Sequence, residues 1–177
     1  AEQVDIGTTV LGCRWEVPFY INAMTGGTQA TAAINAGLAE AAAEAGVAIA
    51  CGSQHVALRD PERADGFHVI RHRAPGAFVL ANVGPTVSPQ EALQAVEMLE
   101  ANALQIHLNA AQELVMPEGD RDFSGWEEAV ATIVAAVPVP VVVKEVGFGL
   151  SRRTIEALAR TGVAAVDVAG AGGTDFI

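Results

Sequence analysis

The sequence predicts an α/β fold of the (β/α)8 TIM-barrel class, with this chain holding about the first six βα units. Three observations carry that expectation. Six short apolar runs each end in a small or polar cluster, and a helix-like stretch follows each of the first five. Polar chemistry falls only at the C-terminal ends of these runs, where a barrel assembles its site. The runs Ala77 to Ala81 and Val139 to Val143 are nearly continuous in apolar residues, as parallel strands covered on both faces require.

The elements follow in order. Val4 to Pro18 has no helical period and reads as a lead-in, for which a hairpin is the natural form; residues 1–18 precede the first barrel strand. That strand ends in Asn22-Ala23-Met24-Thr25-Gly26-Gly27. Thr28 to Ala45 is alanine-rich, and Gly46 follows as a C′ residue, so a helix is expected. Val47 to Cys51 is the second strand, closing in Gly52-Ser53-Gln54, and the third closes in Asn82-Val83-Gly84. Ser88-Pro89-Gln90-Glu91 joins an N-cap serine, a first-turn proline and a reciprocal glutamate ahead of a helix to Glu100. Ser124-Gly125-Trp126-Glu127 repeats that spacing before Glu128 to Ala136. Ser151 to Arg160, closed by Gly162, is the last helix, and the sixth strand ends in Asp167 to Thr174.

A length of 177 residues suits one domain, 1–177, with a substantial core, but is short of the ~250 residues of an eight-unit barrel. Two further βα units are therefore expected in the intact polypeptide. The net charge of −11 argues against a nucleic-acid surface and makes any anion site local. Two cysteines, Cys13 and Cys51, give neither a disulfide framework nor metal spacing, which points to a reducing cytoplasm. No apolar run approaches membrane length, and there is no secretory pattern. A cytoplasmic, homo-oligomeric enzyme acting on a small molecule is the expectation.

The fourth strand is the most telling. Gln105, His107 and Asn109 alternate with Leu104, Ile106 and Leu108, giving one polar face that a barrel would turn into its lumen. The alternative, a half-exposed antiparallel strand, fits the surrounding βα order less well. Gln112 and Glu113 lie just beyond, where an amide can reach a substrate and a carboxylate a hard cation. Taken alone, Glu113 is more commonly an exposed loop glutamate. Lys144 ends an apolar strand, so its stem is buried and its ammonium needs an anion. Adjacent Glu145 is a weak candidate, since neighbouring strand residues point to opposite faces. Lys144 would then hold an anionic ligand or act as a Schiff-base nucleophile of an aldolase, and position does not separate these. Gly170-Ala171-Gly172-Gly173-Thr174 can let backbone approach a phosphate or ring carbonyl, but a plain turn is the commoner use of such a cluster. Met24 alone is more often core than cofactor contact.

Taken together, five segments resemble the type 2 isopentenyl diphosphate isomerases, flavin-dependent enzymes of isoprenoid biosynthesis: Ile21 to Gly27, Gly52 to Gln54, Leu104 to Glu113, Val143 to Gly149, and Asp167 to Thr174. Their order and spacing agree over essentially the whole chain. The resemblance implies an FMN barrel in which Ala23, Met24, Thr25, Ser53, Asn82, Lys144 and Thr174 line the flavin. It also implies that His107 and Asn109 hold the substrate diphosphate, with Ser53 and Gln54 also at the substrate. Gln112 would lie beside the alkene and, with Lys144, serve catalysis, while Glu113 would hold Mg²⁺. NADPH would serve only to reduce the flavin. The chain departs from the family at His55, where Arg is frequent, and at Ala169, where a hydroxyl residue is common; its Asn82 to Ser88 loop is also shorter. Another FMN barrel, of the inosine monophosphate dehydrogenase kind, is the rival reading. It would need a loop cysteine after the sixth strand, and neither Cys13 nor Cys51 is placed there.

Overall fold

The computed structural model describes residues 4–170. The lead-in is a hairpin: β1 (Thr8–Val10) pairs antiparallel with β2 (Cys13–Trp15). Its turn, Leu11-Gly12, has φ of 49° and 79°, and positive φ at both central residues is what a two-residue turn needs to match strand twist.

Six parallel strands then pair in sequence order: β3 (Tyr20–Ile21), β4 (Ala48–Ala50), β5 (Val79–Val83), β6 (Ala103–Leu108), β7 (Val141–Glu145) and β8 (Ala165–Asp167). The sheet is curled. Laid flat, the outer strands β3 and β8 would be roughly 24 Å apart, five spacings of about 4.8 Å. Yet the Tyr20 hydroxyl of β3 donates to Asp167 Oδ2 of β8 at 2.6 Å. The expected barrel architecture is thus present as a curled half.

The helices are α1 (Gln29–Ala45), α2 (His55–Arg59), α3 (Asp65–Arg73), α4 (Pro89–Leu99), α5 (Ala110–Val115), α6 (Trp126–Ala136) and α7 (Arg152–Ala159). Local chemistry explains several of their ends. Thr28 caps α1 reciprocally with Thr31, and Gly46 closes it at φ 66°, a left-handed conformation that glycine adopts without strain. Ser88 and Glu91 form the expected capping box on α4 with Pro89 in the first turn, an arrangement worth about 1 kcal/mol. The Ser124 expectation is corrected: α6 starts from Gly125 with no side-chain cap. Asp122 Oδ1 instead takes the Ser124 N–H at 2.9 Å, and Phe123 packs edge-on against Trp126, so the loop's own turn displaces the capping box.

Between β4 and β5 the single helical stretch is broken. Asp60 and Pro61 end α2, a 3₁₀ turn follows over Pro61–Arg63, and α3 resumes from Asp65. Arg71 of α3 then donates to the carbonyls of Leu99, Pro75, Ala77 and Glu100, tying the C-terminal ends of α3 and α4 together beneath the sheet.

The strands bury different faces for different purposes. Ile49, Val79, Ala81, Val83, Leu104, Ile106, Val141 and Val143 pack outward against Ala39, Phe67, Ile70, Ala92, Leu99, Val130, Ile133 and Leu158 of the helices. Facing inward, Ala50, Leu80, Ala103 and Val142 form a smaller apolar floor, against which Leu11, Tyr20, Ala23 and Phe78 pack. Trp15 of the hairpin lies against Tyr20 and Phe78, with ring centroids 5.8 and 5.4 Å away. The hairpin therefore closes the N-terminal end of the strands, and polar side chains occupy the lumen above the floor.

Candidate active site

Strand register stacks the polar side chains. Asn82 pairs with Gln105 one level above the apolar floor, and His107, Lys144 and Asp167 are paired in a row one step nearer the mouth. Because side chains alternate along a strand, all five face the same side of the sheet. This confirms the inward polar face expected from the alternation in β6.

At the C-terminal ends of the strands lies a cavity of about 230 Å³, lined by Ala23, Met24, Gly26, Gly52, Ser53, Asn82, His107, Gln112, Lys144 and Val146. Seven residues singled out in the sequence thus converge. A larger cleft of about 610 Å³ lies at the opposite end, between the hairpin and residues such as Gly46, Phe78 and Asn102. Size does not decide between them. The C-terminal face of a βα barrel gathers functional side chains from several strands, and only the smaller cavity has them.

Lys144 is buried, 7% exposed, and its Nζ donates to the Glu145 carbonyl at 2.6 Å. Burial pulls its pKa down, and the charges of Asp167 and Glu145 oppose that pull. Glu145 does not neutralise it by direct pairing. Its Oε2 accepts the backbone N–H groups of Gly147, Phe148 and Gly149 at 2.6, 2.5 and 2.9 Å. Among the described residues no ion pair is formed by Lys144, so an anionic ligand at the mouth would meet a positive charge held by the strand.

His107 Nδ1 lies 2.8 Å from Asn82 Oδ1. Burial foremost, and then Lys144, lower its pKa to about 4; Glu113 pulls it up, His55 pushes it down and the Val83 backbone pulls it up. The imidazole is therefore neutral near pH 7. Asn109 follows β6 at the start of α5 and donates to Gln112 Oε1 at 3.3 Å and to Glu113 Oε1 at 2.7 Å; Glu113 Oε2 accepts the Asp120 N–H at 2.9 Å. Glu113 is thereby fixed beside the cavity, with its carboxylate outside the lining.

Two other predicted residues sit elsewhere. Gln54 is fully buried toward α4: its Nε2 donates to the Ala95 carbonyl at 2.9 Å and its Oε1 accepts the Asn82 N–H at 2.9 Å. Its amide is thus engaged in fixing the β5 end, and Gln54 is absent from the cavity lining. Thr25 hydrogen-bonds Asn35 of α1 through its hydroxyl and presents its backbone to Gly52. Thr174 lies outside the described residues.

Sequence reasoning missed the roles of Tyr20, Asn22 and Asp167. They form a lumen network with Gln105, in which Asn22 Nδ2 donates to Asp167 Oδ2 at 3.1 Å and Gln105 Nε2 donates to the Tyr20 hydroxyl at 3.2 Å. Period-two alternation through Tyr20-Ile21-Asn22 and Val166-Asp167-Val168 was the available signal.

Comparison with known proteins decides the kinship. An isopentenyl-diphosphate delta-isomerase of Kitasatospora griseola is 58% identical over 173 residues, covering 98% of this chain and 48% of its own length. One from Listeria monocytogenes serovar 1/2a is 53% identical over 175 residues, covering 99% and 49%. The chain belongs to the isopentenyl-diphosphate delta-isomerase family. It spans about half the length of the curated relatives it matches. No family model matches it. Among solved structures, mandelate oxidase with benzoyl-formic acid superposes with a TM-score of 0.60 at 17% identity, covering 92% of this chain and 50% of its own. A mandelate oxidase mutant with a monooxide FMN adduct gives 0.60 at 16%, with the same coverage. At such identities the likeness establishes the isomerase-family chain's fold alone, and the chain spans about half of each neighbour's length.

Proposed function

We propose that the intact protein interconverts isopentenyl diphosphate and dimethylallyl diphosphate by a 1,3-proton shift, with reduced FMN and Mg²⁺, and with NADPH as the reductant of the flavin. The observation that carries this reading is the convergence of Ser53, Asn82, His107, Gln112 and Lys144 on one cavity in a chain 58% identical to a named isomerase.

The donor set suits a flavin. Ala23, Met24 and Val146 offer an apolar wall, Ser53 and Asn82 offer hydrogen-bonding groups, and Lys144 offers a buried cation. Residues 23–25, Ser53, Asn82, Lys144 and Thr174 would hold FMN. When bound, reduced FMN supplies an electron-rich face able to stabilise positive charge developing on the alkene and to mediate proton transfer.

Around it, each side chain does defined work. Lys144 holds negative charge at the mouth without a competing carboxylate on its ammonium. Gln112 faces the alkene with an amide, which cannot capture a carbocation as a carboxylate would. His107 and Asn109 take the diphosphate end. Glu113 suits Mg²⁺, which typically accepts one or two carboxylates and completes its shell with phosphate oxygens and water. Closure of the cavity over substrate would exclude water and strengthen these interactions.

The absorption spectrum of the intact protein, followed by an anaerobic assay with isopentenyl diphosphate, Mg²⁺ and reductant, tests the reading. A yellow protein forming dimethylallyl diphosphate only after flavin reduction is the expected result. A colourless protein whose substrate adduct is trapped by borohydride would replace it with Schiff-base chemistry at Lys144.

A further inference from the structure

The lumen network runs from a group that can only accept hydrogen bonds to a group whose proton position is free, and this gives it a direction. We propose that Asp167, acting through Tyr20, Gln105 and Asn82, holds His107 in the tautomer protonated on Nδ1, so that Nε2 faces the mouth as an acceptor. None of the three outermost links, Asp167, Tyr20 and Gln105, lines the cavity, so these are positioning residues.

The direction follows one bond at a time. An ionised carboxylate accepts only, so at 2.6 Å the Tyr20 hydroxyl donates to Asp167 Oδ2. That uses the hydroxyl's one proton, and toward Gln105 at 3.2 Å the Tyr20 oxygen can only accept; Gln105 must turn Nε2 to it. Gln105 Oε1 then faces Asn82 and takes a proton from Nδ2 at 2.8 Å. Asn82 is left with Oδ1 toward His107 Nδ1 at 2.8 Å, and an oxygen acceptor at that distance requires a proton on Nδ1.

Asn22 provides an independent check. Its Oδ1 accepts the Ala23 N–H at 2.7 Å, so Nδ2 must face Asp167 Oδ2, at 3.1 Å. Both neighbours thus treat this oxygen as an acceptor. Tyr20 stays protonated, since burial foremost and the Asp167 carboxylate next raise its pKa. The imidazole itself is part-buried and lines the cavity, with its Nε2 edge toward Gly84, where a Cβ would come within 3.5 Å.

This constrains the ligand as well as the protein. A neutral imidazole with bare Nε2 accepts a hydrogen bond, so its partner in the ligand must bring a proton, as a singly protonated phosphate oxygen does. That last point rests on the proposed diphosphate substrate. The tautomer does not.

Nitrogen-15 spectra of histidine-labelled intact protein near neutral pH test the relay, with His107 assigned by its loss in His107→Asn. Wild type should show pyrrole-type Nδ1 and pyridine-type Nε2. In Asp167→Asn the terminal group can donate, the chain of amides can reverse, and the two nitrogen shifts should move toward one another. Tyr20→Phe breaks the same chain without changing any charge and should give the same convergence. A wild-type spectrum with the proton on Nε2 overturns the proposal, as does a shift confined to Asp167→Asn, which would indicate a through-space charge effect. The wild-type spectrum stands as a test even if a variant fails to fold. Because no turnover is involved, an inactive protein with Nδ1–H retains the relay and removes the proposed function, and the converse pairing does the reverse.

Discussion

Gly52→Ala is the sharpest structural test, because at this position two strand-end loops meet with no room for a side chain. A Cβ built on Gly52 would lie 1.5 Å from the Thr25 carbonyl oxygen, 2.2 Å from its carbon and 2.9 Å from its nitrogen. All three are backbone atoms, so no rotamer change relieves the contact. Reaching the 3.0 Å floor of real Cβ contacts means moving one loop by more than an ångström. Overpacking of this kind costs about 1–3 kcal/mol. In a domain of this size each kcal/mol lowers Tm by roughly 2–4 °C. The loops that would separate carry Ala23 and Met24 on one side and Ser53 on the other, all lining the cavity. A displacement near 1 Å at a site built by orientation can cost on the order of 100-fold in rate. Thermal unfolding, flavin content and kcat/KM of the intact Gly52→Ala protein should all fall together. Gly37→Ala is the control: it lies in α1 with no atom within 4 Å of the added Cβ, and should stabilise by about 0.5–1 kcal/mol. Unchanged Tm and flavin retention in Gly52→Ala would refute the claim that this close approach shapes the site.

Other expectations concern charge. Lys144→Ala should weaken FMN retention and slow turnover, measured by ultrafiltration and anaerobic assay, because the buried cation proposed to face an anionic flavin would be lost; unchanged values would return Lys144 to a structural role. Glu113→Gln should weaken substrate affinity with partial recovery at high Mg²⁺, whereas Gln112→Glu should lower turnover without metal rescue, and identical Mg²⁺ titrations for both would dissolve the division of labour. His107, with its pKa lowered to about 4 in the fold against about 6.5 when unfolded, should make the ligand-free protein less stable as pH falls from 6.5 to 4. The unfolded state binds the extra proton in that window, so the contribution, up to about 3 kcal/mol, is fully present above it. Denaturant titrations across this range should show the slope, and His107→Gln should remove it.

What could be read from the sequence was what local chemistry determines. The Gly46 C-cap, the Ser88 and Glu91 box and the alternation through β6 depend on residues a few positions apart, and all formed. Ser124 has the same spacing as Ser88 but lost its capping role to Asp122 and the aromatic pair beside it. Gln54 shows a different limit of pattern reading. Its place in a strand-end cluster suggested the mouth, but direction there depends on where the chain turns, and here it turns toward α4. Tyr20 and Asp167 are 147 positions apart, and their bond exists only because the sheet curls. Pattern reading placed the strands that bear them, and only three-dimensional closure could pair them.

The loop after β7 gives the site its division of charge. Three consecutive N–H groups converging on one point are a seat that a phosphate oxygen would ordinarily take. In this chain the seat already has a tenant, since Glu145 Oε2 holds the N–H groups of Gly147, Phe148 and Gly149. Among the described residues, this turn therefore offers no free cradle to an anion. The neighbouring ammonium of Lys144, on the opposite face of the strand and lining the cavity, is then the cation that an entering anion would meet, while the backbone of this turn is already spoken for.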